Sequence, residues 1–203
     1  MRWLRVYVWA LLFFLWAPLL LVIFKGCNLS AFERLFQNTE VMISFKNSLI
    51  LGVSTALIST LMGLLTAFAL PSISSKLRAL ITGSLLLPLV LPEIAFGIAY
   101  LVWFQQLGIS PGWSTLLLSH FAFTFCFVVL VLKTSVINLD HTISDAAKDL
   151  GASPIDVFRH GVLPQLMPGI IAGAMMAFSL SLDDFLISFF VKGIDQLTLP
   201  IKI

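Results

Sequence analysis

The 203-residue chain is strongly apolar, with 59% hydrophobic residues, 11% charged residues and a mean hydropathy of +1.03. A soluble domain carries about a quarter charged residues, so a large soluble domain is excluded. The net charge of +2 is too small to suggest a nucleic-acid partner. The two cysteines, Cys27 and Cys126, lie far apart without a CxxC or a His/Cys cluster, so neither a structural zinc site nor a disulfide framework is expected.

The N-terminal apolar run, residues 6–24, follows Arg2 and Arg5 and could be read as a signal peptide. Gly26-Cys27 even resembles a lipoprotein cleavage site. However, Lys25 stands where a small or apolar residue would be wanted, and further apolar runs follow. We therefore expect an uncleaved first membrane helix.

The remaining apolar runs are also of membrane-spanning length, which is about 20 residues. Pro71 ends the second run, and Pro88 and Pro92 interrupt the third. The sequence predicts an all-α membrane protein, a single transmembrane domain over residues 1–203. Its predicted spans are about 6–24, 44–70, 80–107, 115–138 and 168–191.

Positive charges in the loops favour a cytoplasmic N-terminus, although the bias is weak. The basic residues that would then lie on the cytoplasmic side are Arg2, Arg5, Lys76, Arg78, Lys133, Lys148 and Arg159. Those that would lie outside are Lys25, Arg34, Lys46, Lys192 and Lys202.

Small residues recur four apart in two spans, and such faces let helix backbones approach closely. The fifth span has Gly169, Gly173, Ala177 and Ser181, and the second has Gly52, Ala56, Ser59, Gly63 and Ala67. We expect both faces to contact other helices.

The longest polar stretch, residues 139–167, has the pattern of two short helices with a corner between them. Thr142 and Asp145 form a capping-box-like pair, and Gly151 supplies a left-handed stop. Ser153 then caps a second helix, which Pro164 and a later proline, Pro168, are expected to end. The corner displays small residues, which favours a partner-docking loop over a purely structural connector. These small residues are Ala147, Gly151 and Ala152.

This stretch resembles the EAA loop of ABC importer permeases, whose pattern is Glu-Ala-Ala, three residues, Gly, nine residues and Ile-x-Leu-Pro. Asp145 replaces the Glu and keeps the charge, whereas Gly161 replaces the Ile and removes an apolar contact. The positions that fall on the pattern are Asp145, Ala146, Ala147, Gly151, Leu163 and Pro164. The resemblance implies that the loop is a cytoplasmic coupling helix that docks into an ATPase subunit.

From residue 85 to 203 the chain is similar to the second permease subunit of spermidine/putrescine importers. Segments 145–153, 179–185, 188–193 and 197–203 carry this similarity. It implies a type I ABC importer fold with six spans, of which we expect five here and a sixth missing. It also implies a second permease subunit, two cytoplasmic ATPase subunits that bind ATP and Mg²⁺, a periplasmic binding protein and a bacterial inner-membrane location.

Carboxylates within spans are costly and are functional candidates by default. Asp183 and Asp184 lie toward the outer half of the fifth span, and Glu93 follows the proline break. Asp184 is expected to point into the bundle, either lining a cation pathway or pairing with a group such as Lys46. Glu93 is either a gate or cation contact or part of a structural break.

A lone histidine in an apolar span, His120, is more often a satisfied packing residue than a relay or a metal ligand. The chain has no P-loop, HExxH or GxSxG motif, so neither ATP binding nor hydrolase chemistry is predicted for it. We therefore expect a non-enzymatic polyamine permease subunit without a cofactor or metal of its own. The alternatives are a permease for ferric iron, thiamine or an opine-like amino acid and, further off, an intramembrane enzyme, a scaffold or a stand-alone channel.

Overall fold

The computed structural model describes residues 2–26, 36–194 and 196–203, and within them the chain is helical and has no strand. This confirms the prediction of an all-α polytopic membrane protein. The sequence features at Cys27 and Arg34 lie outside the described residues. The chain divides into two compact units, residues 1–43 and 44–203. Helix α1, Arg2–Gly26, belongs to the first unit and has the length and apolar character of a membrane span.

The other helices follow in chain order with short connections. They are α2 (Thr39–Ala69), α3 (Ser75–Leu85), α4 (Leu87–Val90), α5 (Glu93–Gln106), α6 (Trp113–Ile137), α7 (His141–Asp149), α8 (Pro154–Asp156), α9 (Leu163–Asp183), α10 (Leu186–Val191) and α11 (Leu199–Lys202). A 3₁₀ turn, Leu70–Ser72, follows α2, and a π-helical turn, Val157–Val162, precedes α9.

The described residues contain four helical stretches long and apolar enough to cross a membrane: Trp3–Gly26, Thr39–Ser72, Trp113–Ile137 and Pro154–Asp183. The third predicted span, 80–107, is not one helix. Ser75–Val90 and Glu93–Gln106 meet at an angle of 112°. Leu91 and Pro92 are extended at the bend because the proline ring disfavours helical geometry in the residue before it.

The fifth predicted span, 168–191, also differs from the structure. Pro164 and Pro168 do not end the preceding helix. Pro164 lies in the first turn of α9, where a proline is tolerated, and Pro168 lies within α9. The helical stretch therefore runs from Pro154 to Asp183 and breaks at Asp184 and Phe185 before α10 begins.

Three helices, α2, α6 and α9, form the main apolar core, and their small residues permit close approach. A Cβ atom added at Gly63 would lie 2.8 Å from Val128 Cγ1, and one at Gly173 would lie 3.3 Å from the same atom. Ala177 and Ser181 are buried on the same face of α9. Both small-residue faces thus contact α6, as predicted. The core residues are Ala56, Ala67, Val128, Leu132, Val136, Leu166 and Ala177.

A second apolar cluster joins α2, α5, α6 and α10 near the break in the fifth span. A Cβ atom added at Gly97 of α5 would lie 3.1 Å from the Leu186 carbonyl oxygen and 3.4 Å from Ile187 Cα. The α5 and α10 backbones are therefore in near-direct contact. The buried members of this cluster are Leu51, Phe104, Leu116, Phe123, Ile187 and Val191.

Candidate functional site

The polar segment between α6 and α9 folds as a helical corner, and Gly151 makes the turn. The backbone φ angle of Gly151 is +81°, which favours glycine because it has no Cβ atom. The Gly151 N–H donates to the Lys148 carbonyl at 2.9 Å, and the Ala152 N–H donates to the Ala147 carbonyl at 3.0 Å. This pair of hydrogen bonds is a Schellman motif. The predicted left-handed stop is confirmed.

The two helices of this corner begin with side-chain caps, but only one of the predicted caps is right. The Ser153 hydroxyl accepts a hydrogen bond from the Asp156 N–H at 3.3 Å and caps α8, as predicted. The predicted pair of Thr142 and Asp145 is wrong, because Asp140 caps α7 and accepts from the Thr142 N–H at 2.9 Å. Asp140 also accepts from the Thr142 hydroxyl, and these hydrogen bonds hold the pKa of the Asp140 carboxyl below its usual range.

Asp145, which stands at the Glu position of the EAA pattern, is exposed. The Lys148 ammonium donates to Asp145 Oδ1 at 2.9 Å, and this hydrogen bond and charge hold the pKa of the carboxyl below its usual range. Ala146, Gly151 and Pro164 are exposed as well. Ala147, Ala152 and Leu163 are half-buried, so the predicted coupling residues form a partly accessible surface.

Two large apolar side chains flank this corner and face away from the protein. Leu150 is 88% exposed and Ile155 is 76% exposed, although both lie in a polar segment. By contrast, Gly161 faces inward, where an added Cβ atom would lie 3.7 Å from Ile143 Cγ2 and 3.9 Å from Ser144 Oγ. The glycine in place of isoleucine therefore changes the packing of the π-helical turn on α7 and leaves the exposed corner intact.

Gln165 holds the two ends of this segment together. Its side-chain oxygen accepts from the Asp140 N–H at 2.9 Å, and its amide nitrogen donates to the Gly161 carbonyl at 2.8 Å. The same amide also donates to the Asp140 carbonyl at 3.3 Å. A contact between the rings of Phe68 and Phe158, with centroids 6.3 Å apart, packs the segment against the end of α2. The corner is thus fixed to the helices that it connects.

The three carboxylates predicted within spans fall in one region but in different environments. Asp184 is only 6% exposed, as predicted for a side chain that points into the bundle. Its Oδ1 accepts from the Ile187 N–H at 3.1 Å and its Oδ2 accepts from the Ser188 N–H at 2.7 Å. Asp184 therefore caps the start of α10, a structural use of the carboxylate.

Asp183 is exposed and borders a cavity of about 560 Å³. The other lining residues are Ser179, Leu182, Leu199, Pro200 and Ile203. Glu93, the first residue of α5, is partly exposed beside Asp184, and Asp183 is close enough to act on it electrostatically. Asp183 and Glu93 are therefore the accessible pair, whereas Asp184 is enclosed.

The partner of Asp184 is His120 and not Lys46, the partner considered from the sequence. His120 Nε2 lies 3.2 Å from Asp184 Oδ2 and 2.9 Å from the Ser188 hydroxyl. His120 Nδ1 lies 2.7 Å from the Ser181 hydroxyl. His120 is 2% exposed, so these four side chains form a buried polar cluster. Within the described residues, no group of three or more His, Cys, Asp or Glu side chains could hold a metal ion.

Comparison with known proteins places this architecture in a family. Residues 59–202 match the family described as binding-protein-dependent transport system inner membrane component. The chain belongs to this family. The matched range contains the helical corner and the His120–Asp184 cluster, so both are features of a transport-system membrane component.

Three curated relatives of this inner membrane component are named as permease proteins. The spermidine/putrescine transport system permease protein PotC of Escherichia coli is 34% identical over 202 residues, covering 94% of this chain and 76% of the relative. PotC of Haemophilus influenzae is 32% identical over 179 residues, covering 88% of this chain and 70% of the relative. The putrescine transport system permease protein PotI of Escherichia coli is 32% identical over 213 residues, covering 94% of this chain and 74% of the relative.

Sequence reasoning missed the central place of His120 in this permease. From the sequence we expected a packing residue whose hydrogen bonds are satisfied, but we did not identify its partners. A signal was present, because Ser181, Asp184 and Ser188 follow one another three and four residues apart on one face. An ionisable side chain in an apolar helix needs polar partners, and this face was the natural place to seek them.

Proposed function

We propose that this chain is a transmembrane permease subunit of an ATP-driven ABC importer that carries polyamines across a bacterial inner membrane. Its partners are a second permease subunit, two cytoplasmic ATPase subunits that bind ATP and Mg²⁺, and a periplasmic substrate-binding protein. The chain itself performs no chemistry. The N-terminus and the helical corner lie on the cytoplasmic side.

The observation that carries the coupling role is the exposed corner at Gly151. Leu150 and Ile155 expose large apolar side chains on either side of it, within a segment that is otherwise polar and charged. Burial of such side chains in a partner stabilises a complex by about 1.5–3 kcal/mol each. The corner is also rigidly anchored through Gln165, so a displacement of the corner is passed to α9.

A pair of matched substitutions tests this docking role. Gly151 and Gly108 both have left-handed backbones, and a Cβ atom at either would meet nothing within 4 Å. Gly151→Phe and Gly108→Phe therefore introduce similar backbone strain, about 1–2 kcal/mol, without a clash of the new Cβ atom. We expect the first to abolish uptake and binding of the ATPase subunits, and the second to leave both near wild type. Normal uptake with Gly151→Phe would refute the docking role.

The substrate assignment rests on the names of the relatives together with the exposed carboxylates. A polyamine is a flexible polycation, and Asp183 offers an exposed carboxylate beside a cavity, with the carboxyl group of Glu93 partly exposed nearby. Asp184 is excluded from this role because its oxygens already bind the backbone of α10 and His120. The carboxylates therefore divide into one structural group and two pathway groups.

Uptake of radiolabelled spermidine and putrescine tests the substrate in cells that lack their own importer and carry the complete operon. We expect uptake that requires this subunit, that falls in Asp183→Asn and Glu93→Gln, and that is retained in the charge-preserving Asp183→Glu. Assembly of the complex is checked by co-purification. Uptake of neither polyamine would redirect the assignment to another solute, such as ferric iron, thiamine or an opine-like amino acid.

A further inference from the structure

The fifth span is broken where it passes the buried polar cluster. Asp184 has an extended backbone, with φ −66° and ψ 118°, and separates α9 from α10. The Asp184 carboxylate caps α10 through the N–H groups of Ile187 and Ser188. Because these hydrogen bonds satisfy N–H groups in the first turn of α10, they stabilise the break in the span.

The two segments on either side of the break both contact α6, and α10 also contacts α5. At its C-terminal end, α10 accepts a hydrogen bond at its Val191 carbonyl from the Thr115 hydroxyl of α6 at 2.7 Å. Along its length α10 contacts the α5 backbone at Gly97. By contrast, α9 packs along α6 through its small residues and continues without interruption from the helical corner. A displacement that begins at the corner must cross the break to reach α10.

One side chain bridges the break from the outside. His120 of α6 contacts Ser181 before the break through Nδ1, at 2.7 Å, and Ser188 after it through Nε2, at 2.9 Å. The same Nε2 lies 3.2 Å from Asp184 at the break itself. Without the imidazole ring, no described hydrogen bond between side chains would join the two segments.

We propose that His120 is a positioning residue that fixes the angle between α9 and α10 and makes the two segments move together. The expected effect of His120 on transport rests on the proposed function, because the motion enters α9 from the docking corner. The expected effect of His120 on the angle between α9 and α10 does not rest on the proposed function, since this angle is a property of this chain in the assembled complex.

Two substitutions separate the two sides of the bridge. The amide of His120→Asn comes near the position of Nδ1 and can still reach Ser181, but it no longer reaches Ser188 or Asp184. The amide of His120→Gln comes near the position of Nε2 and can still reach Ser188 and Asp184, but it no longer reaches Ser181. Because Asp184 is a buried carboxylate, loss of its partner is the more costly change. We expect the asparagine variant to be more severely affected.

The first readout is the distance between spin labels at Met175 on α9 and Phe189 on α10, both exposed. It uses the complete complex in lipid nanodiscs with Cys27 and Cys126 replaced by serine. We expect a broader distance distribution in both variants, with the larger broadening in His120→Asn, because each variant loses one side of the bridge. Ser119→Ala is the matched control, because the Ser119 hydroxyl is buried next to His120 but has no hydrogen-bond partner in the structure.

The second readout is the amount of substrate transported per ATP hydrolysed. We expect this ratio to fall by about an order of magnitude in His120→Asn, the size of effect that loss of one buried hydrogen bond to a charged group produces. In His120→Gln we expect a smaller fall, because the contact with Asp184 is kept. A complex that transports no polyamine at all would refute the proposed function, whereas the spin-label distances would still test the bridge.

Equal distance distributions in His120→Asn, His120→Gln and wild type would overturn the proposal. If His120→Asn does not assemble, Ser181→Ala and Ser188→Ala each remove one contact while the imidazole stays in place. Each should then broaden the same distribution, and wild-type widths in both variants would equally overturn the proposal.

Discussion

The close contact between α5 and α10 predicts a sharp steric effect at Gly97. In Gly97→Ala the new methyl group would lie 2.7 Å from Phe190 Cδ2, 3.1 Å from the Leu186 carbonyl oxygen and 3.4 Å from Ile187 Cα. The Phe190 ring can rotate away, but the backbone of a packed helix cannot. Overpacking of this kind destabilises a protein by about 1–3 kcal/mol.

Gly83→Ala in α3 is the matched control, because a Cβ atom there would meet nothing within 4 Å. Both variants gain helix propensity from the exchange, up to about 1 kcal/mol, so their difference isolates the steric cost. We expect Gly97→Ala to have a free energy of unfolding about 1–3 kcal/mol below that of Gly83→Ala. The assay is reversible unfolding by SDS in mixed micelles, followed by circular dichroism. Equal free energies of unfolding would refute the close contact.

Three further results are expected. Because Lys148 lowers the pKa of the Asp145 carboxyl, this pair stabilises α7 above the unfolded pKa of the carboxyl, about 3.9. The stabilisation is lost as the pH falls through the folded pKa. Hydrogen exchange in α7 should show this loss of stability at acid pH in wild type and lack it in Lys148→Gln. Ser153→Ala should remove the cap of α8 and lower local stability by about 1 kcal/mol, measured as faster hydrogen exchange over residues 155–157. The Ser59 and Thr124 hydroxyls, 2.8 Å apart, should show a coupling of about 0.6 kcal/mol in a double-mutant cycle with alanine, and a value of zero would deny the hydrogen bond between α2 and α6.

The sequence predicted the apolar helices and the helical corner because each depends on local patterns. Span length follows from hydropathy, and the turn at Gly151 follows from a glycine after a helical run. The small-residue faces were also predictable, because a spacing of four residues places them on one side of a helix.

The breaks in the spans and the polar cluster were harder to predict because they depend on tertiary contacts. The prolines at 88 and 92 indicated a bend but not its angle of 112°. Asp184 ends α9 because its carboxylate binds the N–H groups of the next segment and His120. A helical projection that assumes an unbroken span cannot show that Asp183 and Asp184 face such different surroundings.

The side chain of Gln165 closes the corner segment upon itself, since it binds Asp140 where the segment begins and Gly161 shortly before it ends. The two ends of the segment are therefore held together by a residue that lies outside the exposed corner. In evolutionary terms the segment is a module. Under the proposed function, its outer surface can be remodelled to suit a different ATPase while the membrane helices stay the same.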